Sequence, residues 1–92
     1  MSDKNIVKLP KRFDYSSSME FNGALSNMPS DVKTITLDCS DVDYIDSAGI
    51  GLLVMAYKKL NEKNVKIVIT NLKDAPREIL SLANIQKLIE CK

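Results

Sequence analysis

The sequence predicts a small single-domain α/β fold: a four- or five-stranded mixed sheet with helices packed mainly on one face. Three observations carry this. Two β-branched runs, KTITLD over Lys33–Asp38 and VKIVIT over Val65–Thr70, flank a stretch with helical periodicity, Ser47–Asn61, which is the order of a strand–helix–strand crossover. A further helical signal precedes this unit and another follows it. The chain has 92 residues, enough for one modest core, with no repeat, linker or low-complexity tract to suggest a second domain.

The elements follow in order. Asn5–Leu9 has a short strand pattern that Pro10 ends, as expected of an edge strand. Over Ser16–Met28, Phe21, Ala24, Leu25 and Met28 fall at the spacing of one helical face, with Asp and Ser residues ahead of them able to cap and Pro29 behind to close. Lys33–Asp38 alternates apolar and polar residues, whereas Val65–Thr70 is the denser run of a strand covered on both faces. Between them, Ile50, Leu53, Val54, Tyr57 and Leu60 form a helical stripe. Asp74, Ala75, Pro76 and Glu78 are a helix-start signature with Asp74 as N-cap. Gln86–Lys92 allows one last short strand. Right-handed crossovers between parallel strands place the helices on one side. The expected disorder is confined to the N-terminal MSDKN.

Composition excludes several chemistries. With no histidine, Ser-His-Asp and Cys-His catalysis, histidine-ligated metals and phosphohistidine relay lack their imidazole. The net charge of +1 gives no basic stripe for nucleic acid. Ala48–Tyr57, ten residues, is the longest unbroken apolar or glycine run, about half of what a membrane-spanning helix needs. Cys39 and Cys91 are far apart, in no CxxC pair, and read as free thiols of a reducing compartment, so a soluble cytoplasmic protein is expected.

The near-neutral total hides an asymmetry. Residues 38–46 contain Asp38, Asp41, Asp43 and Asp46 and no base, directly before the most apolar part of the chain. Two readings fit: turn and cap chemistry in a solvated loop, or an acidic element with a function. The segment YIDSAGIGLL joins this loop to the second helix, with Asp46 as N-cap and Ser47 at the first helical position, where a phosphate would meet unpaired amides and the positive helix end. Gly49 and Gly51 each cost a helix about 1 kcal/mol, so both ask for a packing reason. Spacing rules out the alternatives. The third glycine of a dinucleotide fingerprint and the GK[ST] of a P-loop are missing, the D-x-D-x-D calcium ladder is broken at Ile45, and Ser47 has no nucleophile-elbow frame. Leu52 and Met55 fall off the helical stripe, which suits either a well-buried helix or an adaptable contact face.

At these residues the sequence resembles the STAS family of sulfate transporters and anti-sigma factor antagonists, in particular the stand-alone bacterial antagonists. The resemblance lies in a strand ending in Leu-x-x-Ser (Leu37–Ser40), a hydrophobic pair, and Asp-Ser-Ala-Gly-Ile-Gly (Asp46–Gly51) opening a helix. It extends from about Val7 to Ile89 through the Phe13-Asp14 pair, the VKIVITNL strand and the proline-started third helix. The chain departs from the family in having only 13 residues before Asp14, where members usually place two strands, in carrying Lys11 and Arg12 where glycine is common, and in its short last strand.

The resemblance implies a phosphorylation-switched binding module without enzymatic activity or cofactor. Its partner would be an anti-sigma factor of the histidine-kinase-like ATPase fold acting as a serine kinase on Ser47, with a serine phosphatase reversing the step. Neither nucleic acid nor membrane would be bound. Asp14, Tyr44, Asp46, Ser47, Ala48, Gly49, Ile50, Gly51, Leu52 and Met55 would form the docking surface, and the protein would be a monomer or at most a weak dimer. The runner-up is a permanent STAS adaptor subunit of a transporter ATPase or signalling complex, in which Ser47 would only begin a helix.

Overall fold

The computed structural model describes residues 5–29 and 31–92. Of the five residues expected to be flexible, only Asn5 is among these; it leads directly into the first strand. The elements run β1 (Ile6–Lys8), β2 (Arg12–Phe13), a 3-10 turn (Tyr15–Ser17), α1 (Ser18–Ser26), β3 (Thr34–Asp38), β4 (Tyr44–Ile45), α2 (Ser47–Asn61), β5 (Lys66–Thr70), α3 (Asp74–Leu82), a second 3-10 turn (Ile85–Lys87) and β6 (Glu90–Cys91).

Four strands form the main sheet in the order β1-β3-β5-β6, and β2 pairs with β4 in a separate two-residue ladder. Every described ladder is parallel, so the antiparallel component expected of a mixed sheet is absent among the described residues. The order rises steadily across the sheet, and successive right-handed crossovers then carry α1, α2 and α3 over the same face, as expected. Burial agrees: Val7, Leu37 and Ile69 lie in register and are buried, as are Ile35 and Ile67. On β3 the intervening Thr34, Thr36 and Asp38 are only half-buried, as strand alternation requires when one face carries the helices. The denser β5 is buried on both faces at its centre, as expected, although the helices cover only one: Val68, in register with Ile6 and Thr36, lies on the other face, buried but outside the main core cluster.

Helix α2 supplies the centre of the core. Gly49, Leu53, Ala56 and Leu60 are its buried positions, while Ile50, Val54 and Tyr57 are half-buried, so the stripe expected from the sequence is rotated toward the glycine. The cause is a close approach: a Cβ on Gly49 would lie 2.3 Å from the Phe13 carbonyl oxygen and 3.1 Å from Ile45 Cγ2 and the Phe13 ring. Phe13 is itself fully buried and meets Phe21 edge-on at 5.1 Å between ring centroids. A Cβ on Gly51 would meet nothing within 4 Å, so the packing reason expected for two glycines holds for one. Left-handed turns fall to asparagine: Asn64, Asn71 and Asn84 have φ of 62°, 62° and 60°, and no described glycine has positive φ.

At the start of α3, Asp74 is the first helical residue and not the cap. Lys73 is the N-cap, in extended backbone, and its side chain reaches Asp43 instead of capping.

These contacts separate the two glycines experimentally. Gly49→Ala is expected to destabilise the domain by about 1–3 kcal/mol, as overpacking against backbone does, while Gly51→Ala stabilises it by up to about 1 kcal/mol through helix propensity. Urea denaturation of both variants with unchanged m-values measures this; equal effects would contradict the assigned contact.

Candidate functional site

The site forms where the β2–β4 ladder delivers the chain into two helical starts. Arg12 pairs with Tyr44 and Phe13 with Ile45, so the next residues, Asp14 and Asp46, leave the ladder side by side. Each then caps a helical turn. Asp46 Oδ1 accepts a hydrogen bond from Gly49 N at 2.8 Å, fixing the first turn of α2. Asp14 Oδ1 accepts from Ser16 N at 3.0 Å and from the Ser16 hydroxyl. Asp14 N in turn donates to Ser17 Oγ at 3.4 Å, a reciprocal capping box across the Tyr15–Ser17 turn. Ser17 is buried, and its hydroxyl donates to the Arg12 carbonyl at 3.1 Å, tying the turn back to β2.

Of the residues expected at the site, the structure brings the Asp14 turn and the start of α2 together through the Gly49–Phe13 contact. Ser47 is exposed at the first position of α2, and Met55 is exposed two turns on. Tyr44 is exposed on β4, Asp14 and Asp46 are half-buried caps, and Ala48, Ile50, Gly51 and Leu52 are half-buried on the first turns. Gly49, expected on the docking surface, is instead buried beneath Phe13, where it seats the helix.

Several residues of this region carried no usable signal in the sequence. Arg12 donates from Nε to Asp14 Oδ2 at 3.0 Å and lies over the Tyr44 ring, 4.7 Å from its centroid. That arrangement depends on a two-residue ladder, too short for any periodicity to reveal. Tyr15 and Met19 are exposed, on the turn that packs against α2 and on the first turn of α1.

The acidic loop is not a bare negative patch. Asp38 accepts from Ser40 N and Asn71 Nδ2, both at 3.0 Å. Asp41 pairs with Lys8 at 3.4 Å, and Asp43 with Lys73 and Lys11. With Asp46 engaged as a cap, all four carboxylates have partners: turn-and-cap chemistry accounts for Asp38 and Asp46, and lysine ion pairs for Asp41 and Asp43. The pKa values move accordingly: Asp14 is held below the ordinary carboxylate value chiefly by Ser16, Asp38 by Asn71 and Asp43 by Lys73. Burial pushes the Cys39 thiol up to about 12, which keeps it inert as a nucleophile. No helix among the described residues is long and apolar enough to cross a membrane.

Two outcomes follow from the caps and ion pairs. Asp46→Ala is expected to cost about 1 kcal/mol, as loss of an N-cap does, with Asp46→Asn retaining most of it, both read by thermal or urea unfolding. Because Asp14, Asp38 and Asp43 are depressed from 3.8 in the folded state, they add stability that is complete above that pH and lost as pH falls through the native values. Unfolding midpoints should therefore hold from neutral pH to about pH 4 and drop below it, less steeply in Asp14→Asn than in the wild type.

Comparison with known proteins agrees with this architecture. The STAS domain family model matches residues 2–92. A STAS-domain containing protein of Pseudomonas aeruginosa (strain UCBPP-PA14) is 23% identical over 84 residues, covering 91% of this chain and 83% of that protein. An anti-sigma-B factor antagonist of Listeria monocytogenes is 29% identical over 58 residues, 63% of this chain, and that match spans about half (51%) of the Listeria protein. Among solved structures, a Thermotoga maritima protein proposed as an anti-sigma factor antagonist superposes with a TM-score of 0.80 at 20% identity, covering 99% of this chain and 80% of that one. The STAS domain of a SulP transporter from Vibrio cholerae superposes at 0.72 with 16% identity, covering 97% and 70%. With the family model matched over nearly its whole length and the strand, cap and helix-start geometry in place, the chain belongs to the STAS domain family.

Proposed function

We propose that this protein is a phosphorylation-switched binding module of the anti-sigma factor antagonist type. In its unphosphorylated form it captures an anti-sigma factor that is also a serine kinase of the histidine-kinase-like ATPase fold; phosphate on Ser47 releases that partner, and a serine phosphatase resets the switch. The observation that carries the reading is the placement of Ser47: an exposed hydroxyl at the first position of a rigidly seated helix, beside the Asp14-capped turn. A kinase needs such a hydroxyl presented outward on a fixed backbone. Exposed Tyr15, Met19, Tyr44 and Met55 around it supply apolar contact area for a protein partner.

Catalysis then belongs to the partner, in the cytoplasm, and this chain contributes the substrate hydroxyl and the surface around it. A phosphoryl group adds about −1.5 to −2 charge at neutral pH. Since the lysines already answer Asp41 and Asp43, the repulsion it creates is local, against Asp14 and Asp46. Any partner group lying over Ser47 would have to leave or be desolvated against that charge, so affinity falls without a change of fold. The SulP domain shares the fold at 16% identity, which supports no role as a transporter subunit.

Incubation with lysate of the source organism, Mg²⁺ and ATP, followed by mass spectrometry, is expected to place phosphate on Ser47 and to leave Ser47→Ala unlabelled. In calorimetry against the captured kinase, Ser47→Ala should bind as tightly as the unphosphorylated wild type and Ser47→Asp roughly a hundredfold more weakly, about 2.7 kcal/mol. Equal affinity of all three proteins would sink the switch.

A further inference from the structure

We propose that Arg12 is the internal receptor for the phosphate on Ser47, exchanging the carboxylate of Asp14 for the phosphoryl oxygens. The proposal deepens the reading of Ser47 as the modified residue and rests on it. Its basis is the arrangement of one cation among three anionic positions. The β2–β4 ladder sets Arg12 opposite Tyr44 and releases Asp14 and Asp46 side by side, with Ser47 following at once. The Gly49 contact presses that same first turn of α2 onto Phe13, the residue next to Arg12.

The guanidinium is held yet incompletely used. Its Nε serves Asp14, its Cζ lies over the Tyr44 ring, and among the described residues no hydrogen bond engages its Nη atoms. Its side chain is 70% exposed against 16% for that of Asp14, so the arginine is the half of the pair free to swing. Asp14 keeps two hydrogen bonds from Ser16 when Arg12 departs. The neighbouring lysines pair with the acidic loop, Lys8 with Asp41 and both Lys11 and Lys73 with Asp43, and each offers a point charge where Arg12 offers a fork. A phosphate approaching two carboxylates therefore finds one fork-shaped donor, and a dianion with three acceptor oxygens competes favourably with a carboxylate for a bidentate guanidinium. No covalent step is involved; one ion pair replaces another. The exchange also uncovers the Tyr44 ring, so the modification alters the docking surface as well as its charge.

The test uses the full chain with phosphoserine installed at position 47 during translation, so that its outcome does not depend on any kinase. Phosphorus NMR follows the second ionisation of the phosphate. Asp14 and Asp46 raise that value and Arg12 lowers it; Arg12→Gln is thus expected to raise the midpoint by roughly half a unit or more, and Lys73→Gln to leave it in place. The same midpoint with and without Arg12 would overturn the proposal. In the unsubstituted chain, the Nε resonance of Arg12 should move when phosphoserine replaces Ser47, and an unmoved resonance would overturn it equally. Failure here leaves kinase labelling of Ser47 untouched, whereas failure of labelling with a positive titration would refute the proposed switch and not the receptor.

Discussion

The carbonyl oxygen of Phe13 occupies the place where a side chain on Gly49 would be, and the arrangement of the site depends on that contact. Because α2 lacks a Cβ there, its first turn can lie directly on β2, and the turn that follows β2 comes to rest beside the start of the helix. The rest of α2 then falls into place on the sheet, with Leu53, Ala56 and Leu60 buried along the same line. Displacing the turn by even the width of a methyl group would separate the Asp14 cap from Ser47 while leaving each element locally intact. Close packing makes such a contact sensitive to single methylenes.

Around this seat, the electrostatics are organised as local pairs. Segments that share one end of a parallel sheet bring their charges together, and here Lys8 at the end of β1, Lys11 between β1 and β2, and Lys73 between β5 and α3 answer Asp41 and Asp43. These exposed pairs contribute little stability individually. Their consequence is that a charge added at Ser47 is felt by Asp14, Asp46 and Arg12 instead of by a broad field. In the proposed reading, the domain would carry phosphate on Ser47 without a large electrostatic cost to its fold.

Much of this was legible in the sequence, for reasons that also explain what was not. The strands β3 and β5 and the helices announce themselves by periodicity over five or more residues, and the Asp46 cap of α2 by residue type, whereas residue type put the α3 cap one position late, at Asp74. The ladder of β2 and β4 spans two residues on each strand, so no period exists to detect, and with it the Arg12–Tyr44–Asp14 grouping stayed hidden. Glycine at 49 and 51 looks equivalent in sequence, because its meaning lies in what approaches from outside the helix; only Gly49 has such a neighbour. Likewise four aspartates within nine residues suggest a negative patch until lysines distant in sequence are folded against them. Position and identity of Ser47 were readable; its exposure beside the Asp14 turn needed the tertiary contact.

The central claim is that the Asp14 turn and the opening of α2 form one docking surface. Hydrogen exchange of the unphosphorylated protein, alone and saturated with the serine kinase captured from its own organism, tests this most directly. Added protection is expected to be confined to residues 12–19 and 44–55, and to be abolished when Ser47 carries phosphate. Protection concentrated instead on the far end of α2 and on residues 86–91, with residues 12–19 and 44–55 unchanged, would contradict it.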